Sequence, residues 1–136
     1  MNEAEARSRF AAGRVATLAT VDGTGAPHLV PVVFVVEDST VWSATDGKPK
    51  RGTALRRHAN IRARPRVSLL AQHWDERWDM LWWVRADGSA RIDTEPSTVD
   101  RVVALLRDKY PQYGTVPVGG PLVAVTVRSW RGWQAG

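Results

Sequence analysis

Lys48, Lys50 and Arg51 stand around Pro49 at the foot of a basic stretch that continues through Arg56 and Arg57. The chemistry these residues offer is the holding of an anion. A short apolar strand over Thr40 to Ala44 delivers the chain to a turn at Asp46-Gly47, and Pro49 suits the first helical position, where its missing N–H is no loss. The free N–H groups of that helix start would lie beside three cations, although a helix N-terminus already favours negative charge. A phosphate between them removes the conflict; the alternative is a basic turn facing water.

No other set of residues suggests a reaction centre. His28, His58 and His73 fit no metal-binding spacing and read as structural, and no Ser, His and Asp arrangement stands out. With no cysteine, neither a disulfide framework nor a thiolate metal site can form. We therefore name no catalytic side chain and no metal ligand from the sequence.

The elements that must position the basic segment are mostly strands. Glu3 to Ala11 predicts a short helix and Arg14 to Val21 a strand. After a turn at Asp22 to Gly25, the apolar run Pro27 to Val36 is expected as one strand that turns back at Glu37-Asp38-Ser39 into Thr40 to Ala44, a three-strand meander. A basic helix from Pro49 to Asn60 precedes strands at Arg66 to Trp74 and Met80 to Ile92, where Asp87-Gly88 marks a hairpin or a bulge. A second helix, Pro96 to Tyr110, has Ser97 and Asp100 available as a capping box and an apolar stripe of Val99, Val102, Val103 and Leu106. A Gly/Pro-rich loop over Pro111 to Pro121 then leads to a last strand, Leu122 to Val127. Six or so strands with few helices point to a small, mainly β barrel.

The whole chain, 1–136, fits one domain with one core. Its net charge of +5 rests on arginine far more than lysine and favours anionic ligands. The charged start lacks an apolar signal core, and no run approaches the ~20 apolar residues that span a bilayer. The expectation is a soluble cytoplasmic protein with no membrane partner.

The segments Arg14 to Phe34, Trp42 to Thr45, Lys48 to Arg51 and Asn60 to Leu69, followed by Leu81 to Arg91 and Lys109 to Tyr113, resemble in order and spacing the pyridoxamine 5′-phosphate oxidase-like proteins, and within them the coenzyme F420-dependent oxidoreductases. The resemblance implies a homodimer of six-stranded split barrels of the FMN-binding type, with cofactor sites in grooves between the subunits. It implies that Lys48, Lys50 and Arg51 hold a ribityl phosphate, with Ser43 and Thr45 before them and Arg57 as a further contact. The extra residues between Arg51 and Asn60 leave Arg56 or Arg57 able to take the place of Lys50. Pro31, Val32 and Val33 match the family's segment beside the cofactor ring, where backbone groups meet a flat heterocycle.

The implied function is hydride transfer between F420 and an unsaturated small molecule. FMN carries the same ribityl phosphate and is the alternative cofactor, whereas the anionic tail of F420 calls for extra cations such as Arg56, Arg57, Arg62 and Arg64. Seven tryptophans, four of them within Trp74 to Trp83, exceed what a small barrel hides, and an interface between subunits would take the surplus. Two readings of other classes share parts of this pattern: a nucleic-acid-binding barrel, which the separation of basic and aromatic segments disfavours, and a non-catalytic carrier or sensor of F420, FMN or haem.

Overall fold

The computed structural model describes residues 1–46 and 53–136. Helix α1 (Glu3–Ala11) is capped by Asn2, whose side chain accepts the Glu5 N–H at 2.8 Å, and leads into strand β1 (Ala16–Val21). Asp22 shapes the following turn by accepting from the N–H groups of Thr24 and Ala26, as an aspartate does where local hydrogen bonds replace a ladder.

The apolar run beyond it divides. β2 (Pro27–Val32) pairs antiparallel with β1, whereas β3 (Val35–Glu37) pairs with β4 (Thr40–Asp46), and Val33 and Phe34 join the two. The single strand and simple meander expected there are corrected: β2 and β3 are the opposite edges of one antiparallel seven-stranded sheet in the order β2-β1-β5-β6-β7-β4-β3. The other members are β5 (Arg66–His73), β6 (Trp82–Asp93) and β7 (Val118–Gln134). Two residues connect the outermost strands, so the sheet must curl until its edges meet at Val33-Phe34. Counted with β2 and β3 as one bent strand, this is the six-stranded split barrel.

Period-two alternation fills the barrel. Ala16, Leu18 and Thr20 of β1 point inward with Val67, Leu69 and Ala71 of β5, Val84 and Ala86 of β6, and Val123 and Val125 of β7, while Phe10 and Phe34 close one end with ring centroids 4.7 Å apart. Helix α3 (Pro96–Lys109) lays Val102 and Leu106 on the other side of β4 and β7, against Trp42, Leu122 and Ala124. The residues Leu122 to Val125 are therefore buried on both faces, which is why they read as a continuous apolar run.

Several boundaries differ from expectation for local reasons. Glu95, not Ser97, caps α3, its carboxylate accepting the Ser97 N–H at 3.2 Å with Pro96 in the first turn. Asp87-Gly88, expected as a hairpin or a bulge, is the bulge, because the register of β6 against β7 slips there. β7 begins at Val118, inside the Gly/Pro segment taken for a loop, because Thr45 and Asp46 of β4 pair with Gly119 and Val118. Helix α2 (Thr53–Ala63) runs past Asn60; its expected start at Pro49 lies outside the described residues. Among the described residues, no helix is long and apolar enough to cross a membrane.

Candidate functional site

A groove of about 550 Å³ is lined by residues of α2, β4 and the β2–β3 bend. Asn60 seats α2 by donating its side-chain amide to Thr20 Oγ1 at 3.1 Å, with both residues buried. That anchor, less than one helical turn after Arg57 and His58, turns these two side chains into the groove. Val30 to Val33 form one wall, and Ser43 to Asp46 of β4 form the other.

Pro31, Val32, Val33, Ser43, Thr45 and Arg57, expected from sequence to meet a cofactor, all line this one groove. Lys48, Lys50 and Arg51 lie outside the described residues, which end at Asp46 on the groove's rim and resume at Thr53. Arg56, Arg62 and Arg64 are exposed, and Arg64 is tied to the Asp22 turn by a 3.3 Å bond to the Gly23 carbonyl.

Arg57 is the most informative of these residues. Its Nε is buried and finds no acceptor among the described residues. Burial pushes the guanidinium's pKa down, partly opposed by the charge of Asp46, yet a guanidinium stays protonated at any ordinary pH. A buried cationic donor without an acceptor is costly in a finished protein interior and apt in a site awaiting an anion. The wall opposite supplies what a flat ring requires. Among the described residues β2 is a sheet edge, so half of its peptide groups have no ladder partner there, and Val32 is buried while Val33 is half-buried.

Two polar groove residues lie outside the expected cofactor contacts: His58, read from sequence as structural, and Asp46, expected in a turn. His58 is buried, and burial, reinforced by Arg57 and Arg62, lowers its pKa so that the ring is neutral near pH 7. Its position one residue after Arg57 on a helix anchored by Asn60 was the available signal. Asp46 brings an acidic group to the rim, held by the hydroxyl of Tyr113. Thr45 binds the Pro121 carbonyl through its hydroxyl at 3.0 Å, and this helps keep β4 and the start of β7 together beneath the groove. Among the described residues no cluster of three or more His, Asp or Glu forms a metal site.

Known structures share this architecture over nearly the full length. A conserved hypothetical protein of Mycobacterium tuberculosis is 29% identical, with a TM-score of 0.76 over 98% of this chain and 85% of its own. An FAD-binding protein of Mesorhizobium loti superimposes with a TM-score of 0.74 at 18% identity, covering 100% of this chain and 96% of the other. The FAD-binding protein of Mycobacterium smegmatis gives 0.64 at 17% identity over 98% and 97%. No curated protein matches the sequence significantly. The family model for pyridoxamine 5′-phosphate oxidase matches residues 3–134, barrel and groove together, and the chain therefore belongs to that family of flavin-associated oxidoreductases.

Proposed function

We propose that the chain is an F420-dependent oxidoreductase that binds its cofactor in the groove between β2, β4 and α2. The observation that carries this reading is that Arg57, whose buried Nε has no partner among the described residues, lines one groove with the apolar edge strand β2. Arg57, with Lys48, Lys50 and Arg51 from the adjoining segment, would hold the ribityl phosphate, and Ser43 and Thr45 would border it. The peptide groups of Pro31, Val32 and Val33 would orient the ring. Bound there, the cofactor supplies two-electron hydride transfer to an unsaturated small molecule. The surrounding side chains then bind, orient and exclude water rather than react.

The preference for F420 rests on the sequence resemblance and on the cations of α2. Arg56 and Arg62 are exposed on the helix that carries Arg57, where an anionic tail leaving the groove would meet them. FMN is the second reading, favoured by the likeness to two FAD-binding proteins of the same fold. A second copy of the chain would complete the groove. Val15 and Leu29 beside it are 54% and 64% exposed, an apolar rim suited to a partner subunit. Equilibrium titration of the protein with F420 and with FMN, followed by cofactor fluorescence, tests the reading. Micromolar or tighter F420 binding with much weaker FMN binding supports it, the reverse preference makes this an FMN protein, and binding of neither removes the proposal.

A further inference from the structure

The bend at Val33-Phe34 creates a problem that the sheet cannot solve. Phe34 lies between two strands at opposite edges and belongs to neither ladder, yet its side chain is fully buried. Its peptide groups need partners from elsewhere. They find them on two consecutive residues at the end of α3. The Phe34 N–H donates to the Tyr110 hydroxyl oxygen at 3.2 Å, and the Phe34 carbonyl accepts from Lys109 Nζ at 3.0 Å. Lys109 also reaches the Ala11 carbonyl at 3.1 Å, and its ammonium sits 4.0 Å from the centre of the Phe34 ring.

Tyr110 makes a further contact that links this seam to the groove. Its hydroxyl lies 3.1 Å from the Arg14 carbonyl and 3.0 Å from that of Phe34, but a phenol has one hydrogen to give. Because Lys109 already serves Phe34, the Tyr110 hydrogen is free for Arg14. The residues next in line on each segment, Val15 after Arg14 and Val33 before Phe34, both line the groove. One hydroxyl thus bonds two backbone segments that carry groove walls. The Arg14 guanidinium locks the arrangement from outside, 4.6 Å over the Tyr110 ring and bonded to the Lys109 carbonyl at 3.0 Å.

We propose that Tyr110 is a positioning residue for the groove: with Lys109 satisfying Phe34, its hydroxyl fixes the Arg14-Val15 and Val33-Phe34 segments relative to one another. The consequence for ligand affinity rests on the cofactor reading above; the consequence for the backbone does not. Burial raises the phenol's pKa, so the clamp keeps its hydrogen throughout the physiological range.

The test compares the full-length protein with Tyr110→Phe, Lys109→Met and the double variant, using Val67→Ala in the barrel core as a control that lowers stability outside the cluster that holds Tyr110. Amide hydrogen exchange of cofactor-free protein is read at Phe34 against Val41 and Val125. Tyr110→Phe should speed exchange at Phe34 about 10-fold relative to those strands, whereas Val67→Ala should leave that ratio unchanged. Lys109→Met should act in the same direction, and the double variant should show less than the product of the two single effects because the residues act as one unit. Affinity for whichever of F420 or FMN the wild type binds should fall about 5- to 10-fold in Tyr110→Phe. Phe34 exchange that tracks Val41 and Val125 in both single variants overturns the clamp, and wild-type affinity in Tyr110→Phe overturns its role in positioning. A wild type that binds neither cofactor refutes the cofactor reading, and exchange at Phe34 then decides the clamp alone. Should Tyr110→Phe not fold, Lys109→Met carries the same two readouts.

Discussion

The Tyr113 hydroxyl donates to Asp46 Oδ1 at 2.5 Å and so ties the turn after α3 to the end of β4 at the groove rim. The phenol's pKa is driven well above its usual value, first by burial and then by the carboxylate it serves, so the donor persists across the working pH range. Tyr113→Phe keeps the ring that packs on Tyr110 and removes this single bond. Asp46 remains exposed and takes up water, so the expected loss is about 1–2 kcal/mol of unfolding free energy, measured by urea denaturation. An unchanged midpoint would show that the bond contributes nothing.

Arg57→Ala separates function from stability. Because the buried Nε has no acceptor among the described residues, removing the guanidinium should leave the cofactor-free protein as stable as wild type or slightly more so. Cofactor binding should nevertheless weaken about 10- to 100-fold, the usual effect of losing a charge-assisted phosphate contact. Arg57→Lys should fall between the two, since it restores charge without the planar fork. Lys50→Ala and Arg51→Ala are expected to weaken binding by about the same factor, again without unfolding. Fluorescence titration and thermal melts on the same samples check both halves.

At the bulge of β6, a Cβ on Gly88 would run into the Thr126 carbonyl oxygen, a backbone atom with little freedom to retreat. Gly88→Ala should therefore cost roughly 1–3 kcal/mol or more, as overpacking does, and lower the melting temperature. A neutral outcome would mean that β6 and β7 can separate locally without loss.

How far the sequence disclosed all this depends on whether a signal was local. Alternation in Ala16 to Val21 and the stripe through Val102 and Leu106 are periodic, and the corresponding elements formed where expected. The division of Pro27 to Val36 carried no such mark: Val33 and Phe34 are ordinary strand residues, and what ends the strand is the closure of the barrel. The partners of Phe34 lie 75 and 76 positions away. β7 was cut short for a similar reason, since Gly119, Gly120 and Pro121 have loop chemistry but β4 supplies the pairing. In the groove, the residues foreseen lay within the family's motifs except Arg57, which stands between two of them. His58 and Asp46 emerged only when α2 and β4 were brought together.

The Lys109 ammonium gives the fold a pH dependence of definite sign. Burial, with Arg14 nearby, pushes its pKa down from 10.5 to about 8. The unfolded chain therefore binds more protons than the native one between those values, and stability should rise with pH through that window, with a slope of at most about 1.4 kcal/mol per pH unit. Below pH 8 both states are protonated and the dependence vanishes. Lys109→Met should abolish the rise. Urea denaturation of both proteins from pH 7 to 10 measures it, and parallel curves would contradict the assignment.

The most direct test of the central claim is a structure of the protein with F420 bound, or with FMN if that binds more tightly. The account predicts the ribityl phosphate on the Arg57 guanidinium, together with the adjoining basic segment, and the ring against the backbone of Val32 and Val33. A cofactor bound outside this groove, or bound within it with Arg57 turned away from the phosphate, would contradict it.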